Sequence, residues 1–311
     1  MLHKALKRTK AKLLRFKQTD KPILVLGLRR GGSTMVTDAI SCNPGIWFAD
    51  EPYAMFPNRE GFEEKSKRLH IPKHSHYFGL DKNKMDEFSE FTKDLLSAKF
   101  RTMGTSRKTL AGFRANRTCL KILNAPWMID WFSSNTSGHI LSVIRHPGAQ
   151  AKSVLRQGWG YPVEAYLERQ NFLEPYFSAK QLNFCENIFK NGNFWQKAVL
   201  DWVITSHPLR QHSNNNLLVK YEDIVISPEK FTDDVLIKEF NLTDREAMIN
   251  SFLKPSGSSK MNTKESTSAI QLRDLDKIID GWRDSTNSEE LIMGQDILDA
   301  FSVSEYRFTK N

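Results

Sequence analysis

Cysteine is scarce in this chain. Cys42, Cys119 and Cys185 are the only three in 311 residues, far apart and in no Cys-x-x-Cys spacing. That excludes a disulfide framework and predicts three reduced, mostly buried thiols. His70, His74 and His76 have no cysteine nearby to complete a zinc set, and read as a polar loop. Long apolar runs are also missing. Nothing approaches the ~18 residues of a membrane-spanning helix, and residues 1–19 lack the apolar stretch of a secretion signal. The expected setting is therefore the cytoplasm. Acid is absent before Asp20, where seven Lys and Arg residues give the tail +7 of the net +9 and leave the body +2. That distribution excludes a body-wide nucleic-acid surface, and any anion site in the fold must be local. Leu2, Leu6, Leu13 and Phe16 fall on one face of a basic amphipathic helix. Weak contact with an anionic membrane surface and a plain solvated tail both fit that pattern.

What is present points to one large α/β domain over residues 21–311, behind a basic tail at 1–20. With 40% hydrophobic and 11% aromatic residues the chain can bury a sizeable core. Short apolar runs alternate with helical stretches, the pattern of a parallel sheet with crossover helices. The runs at 23–27, 46–50, 118–123, 139–144 and 217–224 are predicted strands, and residues 51–82 a long loop. Met85, Phe88, Phe91, Leu95 and Leu96 sit at helical spacing in a helix near 83–99. Helices are expected to fill 160–210 and most of the C-terminal part, apart from a Ser-, Gly- and Lys-rich stretch at 255–269.

The strongest local signal is VLGLRRGGSTMVTDAIS (25–41): strand, glycine turn, helix start. Such a turn aims backbone N–H groups at one point, and the helix dipole adds positive potential there. Gly31 and Gly32 allow a close approach of the main chain. Ser33 and Thr34 add hydroxyls, and Arg30 adds a charged planar fork. The spacing from Gly27 to Gly32 nearly matches the nucleotide-triphosphatase loop G-x4-G-K-[ST], but Ser33 stands where its lysine belongs. That weakens a kinase-like reading. A second signal, HILSVIRHPGAQAKS (139–153), is a buried strand ending in Arg145, with Ser153 eight positions on. A triphosphatase usually places a magnesium-holding acid near such a strand end. An arginine there suits a second phosphate, held without metal. One nucleotide with anionic groups at its 5′ and 3′ ends accounts for both sites, the rival reading being that Arg145 is an ordinary surface charge.

At this point the residues resemble the sulfotransferase superfamily. RRGGSTMVTDAISCNPGIWFADEPYAMF (29–56) is similar to the 5′-phosphosulfate loop of the Golgi carbohydrate and tyrosylprotein sulfotransferases. IRHPGAQAKS (144–153) is similar to their 3′-phosphate motif. LLVKYEDIVISPEKF (217–231) resembles their Tyr-Glu-Asp segment, and GWRDSTNSEELIMGQDIL (281–298) their C-terminal Trp-basic stretch. The resemblance implies a P-loop-like three-layer α/β/α fold with a central parallel sheet and a helical C-terminal half. It implies that 3′-phosphoadenosine 5′-phosphosulfate (PAPS) is the co-substrate, held by Arg30, Gly31, Gly32, Ser33, Thr34 and Met35 on its 5′ side. Arg145 and Ser153 are expected at the 3′ phosphate and Tyr221 near the nucleotide, with Ser258, Ser259 or Asn262 closing a loop over it. The chain departs from many relatives in having Gly31 where they have serine.

The implied catalytic residues are Glu51 as base and Arg30 as the group facing the leaving phosphate. Glu51 follows the strand after the phosphate-loop helix, where α/β sites form, and matches the Glu-Pro of the similar families; a solvated loop acid is the rival reading. His70, His74 and His76 are the reserve bases. No metal is expected. The expected acceptor is a hydroxyl of a carbohydrate, with a peptidyl tyrosine or lipid alcohol as alternatives. Trp47, Tyr53, Phe56, Trp159 and Tyr161 are candidates to stack on sugar rings or to belong to the core. The competing functions are a kinase-like phosphotransferase on the same fold and a non-catalytic nucleotide-binding or membrane-surface adaptor.

Overall fold

The computed structural model describes residues 15–55, 62–69, 76–101, 114–211, 216–255 and 264–308. Five parallel strands form the central sheet: β1 (Ile23–Gly27), β2 (Ile46–Asp50), β3 (Arg117–Ile122), β4 (His139–Ile144) and β5 (Asn216–Lys220). Their spatial order is β2-β3-β1-β4-β5, which puts the strand that enters the glycine turn at the centre. The register aligns Val25 with Lys121 and Leu141, and Lys121 with Asp50. All parallel connections need crossovers, and these cover both faces.

Covering both faces explains why β1 is an unbroken apolar run. Leu24 and Leu26 join one buried cluster with Trp47, Leu120, Ile122 and Ile140. Ile23 and Val25 point the other way, to Phe48, Cys119, Leu141 and Val143. The strand period of two thus divides one sequence between two cores. Helix α1 (Ser33–Ile40) packs on the second face. On the first face lie α2 (Lys82–Leu96), α3 (Pro147–Leu155), which opens on proline, and α4 (Phe194–Gln211). The fold is the expected P-loop-like α/β/α, and it continues into further helices, α5 (Tyr221–Ile226) and α6 (Ser288–Ala300).

Four local expectations need correction. Phe16, expected on a helix face, lies in a short strand, Arg15–Phe16, that pairs with Arg114–Ala115. The segment read as a loop from 51 to 82 contains a helix at Phe62–Leu69. The last strand stops at Lys220, and Tyr221 begins α5, with Glu222 and Asp223 in its first turn where acids suit the helix dipole. The Ser- and Lys-rich stretch ends in a helix at Lys264–Leu272. None of the three cysteines forms a disulfide; Cys119 and Cys185 are buried and Cys42 half-buried. Among the described residues no helix is long and apolar enough to cross a membrane, and no group of three or more His, Cys, Asp or Glu side chains is placed to hold a metal ion.

Candidate functional site

The carboxyl ends of the strands deliver Leu28, Glu51, Leu123 and Arg145 to one edge of the sheet, where open α/β folds bind their ligands. The turn after β1 is tight: Gly31 N–H donates to Leu28 O at 3.0 Å. Gly32 then caps α1 at φ 96° with no side-chain hydrogen bond. An uncapped helix start leaves its first N–H groups pointing out of the end. A β-carbon on Gly32 would stand 2.4 Å from Tyr221 Cδ2, so the glycine is demanded both by its left-handed conformation and by the ring beside it.

Tyr221 is the wedge of the site. Its ring presses on Gly32 from one side, and the Arg145 guanidinium lies over it at 4.5 Å. The next residue, Glu222, fixes the strand end that carries Arg145. One carboxylate oxygen accepts from His146 N–H at 2.9 Å and the other from Tyr306 O–H at 3.0 Å. Trp202 donates its indole N–H to Arg145 O at 2.9 Å, and Trp282 stacks on His146 at 4.6 Å. The backbone at Arg145 is therefore clamped, while its Nε–H is buried with no partner among the described residues. A buried guanidinium N–H costs free energy unless an acceptor completes it, and a phosphate oxygen is such an acceptor.

The two sequence motifs meet directly. Arg30 Nε donates to Ser153 Oγ at 2.8 Å, from the turn after β1 to helix α3. Burial, then the nearby charges of Arg145 and Arg156, lower the pKa of Arg30, with Tyr221 opposing. Arg145 and Arg156 thus both lie close enough to Arg30 for their charges to act on it. Arg156 had not been foreseen, although it lies one helical turn beyond Ser153. Ser33 is buried, against Gly27, and Thr34 is half-buried. Met35 has its N–H engaged with Gly32 O at 3.0 Å and its side chain in the core, so it shapes the turn from within. Ser258, Ser259 and Asn262 lie outside the described residues.

Glu51 follows β2 directly, and β3 alone separates β2 from β1, which sets those two strands roughly 10 Å apart. Its backbone is left-handed, at φ 48°, and Arg30 is too, at φ 62°. A non-glycine residue held there costs on the order of 1 kcal/mol, and two of the six such residues described are these site candidates. The Glu51 carboxylate pairs with Lys121 Nζ at 2.9 Å, and Asp50 binds the same ammonium at 3.2 Å. Burial pulls Lys121 down, but Glu51 and Asp50 more than reverse it, leaving its pKa above the usual lysine value. Lys121 was not singled out from the sequence.

Of the reserve bases, His70 and His74 lie outside the described residues. His76 is half-buried, with its Nδ1 enclosed; burial, with Arg29 second, lowers its pKa to about 3. A ring so reluctant to take a proton serves poorly as a general base. The aromatic candidates also divide. Trp47 and Tyr53 belong to the core, whereas Trp159 is exposed and Tyr161 half-buried; Phe56 lies outside the described residues.

Arg29, beside Arg30, faces the other flank. It donates to Gly160 O at 2.8 Å, lies 5.7 Å from the Trp159 ring and approaches Asp201 at 3.6 Å. Asp201 also accepts from Val163 N–H at 2.8 Å. Burial raises its carboxyl to about 6 against the pull of Arg29. Moving from 3.8 to about 6 corresponds to ~3 kcal/mol in favour of the neutral acid in the fold. With the folded value above the unfolded one, this contribution is fully present below about pH 4 and is lost as pH rises through about 6. Urea unfolding of wild type and Asp201→Asn should thus diverge by up to ~3 kcal/mol between pH 4 and pH 7, wild type losing ground as pH rises. A pH-independent difference would refute the assignment.

No family model and no curated protein matches the chain. Among solved structures it is similar to the sulfotransferase domain from the Synechococcus PCC 7002 olefin synthase, at 14% identity and TM-score 0.46, over 92% of this chain and 96% of that one. The sulfotransferase domain from the curacin biosynthetic pathway gives 14% and 0.48, over 93% and 99%. Mouse sulfotransferase SULT7A1 complexed with PAP gives 14% and 0.44, over 96% and 90%. At such identities and scores the function has to be argued from the site.

Proposed function

We propose that this chain is a PAPS-dependent sulfotransferase acting on a hydroxyl, with a carbohydrate as the acceptor class. One observation carries the reading: Arg30, Arg145 and Ser153, drawn from two motifs 115 residues apart, converge around the Gly32–Tyr221 contact. A nucleotide with anions at both ends of its ribose needs two cationic sites on one platform, and this arrangement provides them. The buried Arg145 Nε–H without a partner and the uncapped start of α1 fit the 3′ and 5′ groups respectively. A kinase-like site lacks such support here, since the position after β4 is an arginine.

The donor brings a sulfuryl group bonded to its 5′ phosphate. Arg30 and the N–H groups at the start of α1 stabilise the negative charge that develops on the departing phosphate oxygen. Glu51, at the end of β2 and so two strands from β1, accepts the proton of the attacking hydroxyl as the new S–O bond forms and the old one breaks. Lys121 pairs with Glu51 and orients it for that role. Tyr221 sets the spacing between the two cationic sites.

The test is incubation with radiolabelled PAPS and fractionated glycans, lipids and proteins, together with calorimetry using the desulfated product 3′-phosphoadenosine 5′-phosphate (PAP). Label in the glycan fraction and saturable PAP binding in the presence of a chelator are expected. Absence of PAP binding, or transfer of the γ-phosphate of ATP instead, overturns the reading.

A further inference from the structure

Three buried polar atoms sit together on the Arg29 flank of the phosphate-binding turn with no hydrogen-bond partner among the described residues: His76 Nδ1, Trp127 Nε1 and Tyr166 O–H. Their rings are neighbours. Tyr166 lies 5.7 Å from His76 and 6.1 Å from Trp127, and Phe78 closes against it at 4.4 Å. The cluster is tied to the turn through Asp201, which holds Arg29 and also accepts from Val163 N–H in the short helix Val163–Leu167 that carries Tyr166. Trp127 stands just beyond the end of β3, and Tyr77 N–H, next to His76, donates to Asn124 O at 3.0 Å at that same strand end. All three atoms therefore belong to the carboxyl edge of the sheet, on the opposite side of the turn from Tyr221 and Arg145.

An unpaired buried polar atom destabilises the fold, and native interiors keep such atoms few. Three in one aromatic nest beside the site of group transfer are better explained by a ligand that completes them. The three atoms are shut off from solvent, and one ring stands between them and a groove. A groove of about 520 Å³, lined by Gly79, Leu167, Glu168, Arg169, Asn171 and Phe172, lies directly outside. Phe172 is the shared wall, touching Phe78 at 5.1 Å and Trp127 at 5.0 Å.

From this we infer that His76, Trp127 and Tyr166 form the acceptor pocket, and that its ligand is a polyhydroxylated ring of the sugar type. Three polar atoms call for several hydroxyls on one ligand. A phenol brings a single hydroxyl and would leave two of the three atoms unpaired. A pyranose offers several hydroxyls around its edge and an apolar C–H face for the flanking rings. Trp127 donates, Tyr166 donates or accepts, and the neutral His76 ring completes the set. This rests on the sulfotransferase reading, which supplies the reason for an acceptor to be there.

Saturation-transfer NMR of the full chain with PAP present tests it, using methyl glycopyranosides as probes, 4-nitrophenol as the comparator and the Trp127 indole N–H signal as a second readout. Saturable binding of at least one glycoside, with a shifted Trp127 signal, is expected. Tyr166→Phe should weaken that binding at least fivefold, with its PAP affinity within twofold of wild type as the check on folding. Binding of 4-nitrophenol alone, no glycoside binding, or glycoside binding that Tyr166→Phe leaves unchanged overturns the pocket. Failure of wild type to bind PAP would instead overturn the sulfotransferase reading itself.

Discussion

Replacing Glu51 by Gln is expected to lower turnover by roughly 10²–10⁴-fold, the range for removing a positioned general base, while PAP affinity stays within about twofold. Glutamine keeps the size of the side chain and can still accept from Lys121, but it cannot take a proton. Lys121 does not lose all compensation either, because Asp50 stays 3.2 Å away. The left-handed backbone at residue 51 is common to both variants, so strain does not differ between them. Asp50 supplies an internal comparison. It shares the lysine with Glu51 but belongs to the strand itself, and Asp50→Asn should cost far less turnover. A loss below tenfold in Glu51→Gln would remove the residue from the chemistry. A parallel loss of PAP binding would make it a structural partner of Lys121.

The strands were legible because a strand covered on both faces must be apolar at every position, as Ile23–Gly27 is. Tyr221 was misplaced at the end of a strand for a related reason. Valine, lysine and tyrosine continue the look of a strand, and only the acids at 222 and 223 mark the helix start. The helix at Phe62–Leu69 escaped because FEEKSKRL offers too few apolar residues to show a period. At the site, Arg30, Arg145, Ser153 and Tyr221 were visible as motifs, yet their mutual contacts were not, since those depend on the sheet order. Lys121 left a signal that could have been read: a lysine inside TCLKIL, in a strand buried on both faces, must meet a carboxylate near the strand end. Asp201 left the same kind of signal, a single acid among the apolar residues of AVLDWVI. Arg29 was obscured by its neighbour, because the sequence cannot say which of two adjacent arginines turns toward the second motif. The structure separates them: Arg30 goes to Ser153 and Arg29 to Asp201.

That separation sets up the second large effect. Arg145→Ala should weaken PAP binding by roughly 10–100-fold, the worth of a hydrogen-bonded charge pair, yet leave AMP binding nearly unchanged. AMP lacks the 3′ phosphate, so the pair of ligands and the pair of proteins form a cycle that isolates one contact. In wild type PAP should bind more tightly than AMP, and in the variant that preference should collapse. The backbone at this point is fixed by Trp202 and Glu222 through main-chain atoms that alanine retains, so the turn itself should survive. Tyr221 loses the guanidinium above its ring but keeps Gly32 beneath it, and its ring remains a wedge for the 5′ side. The buried Nε–H also disappears with the side chain, so the unliganded variant sheds an unpaired donor and need not lose stability. A weaker nucleotide site in a chain no less stable than wild type is the signature of a group held in place for a ligand. An unchanged preference for PAP over AMP would mean that the 3′ phosphate, if bound at all, lies elsewhere, and Arg30 with Arg156 would then be the remaining cationic pair on this platform.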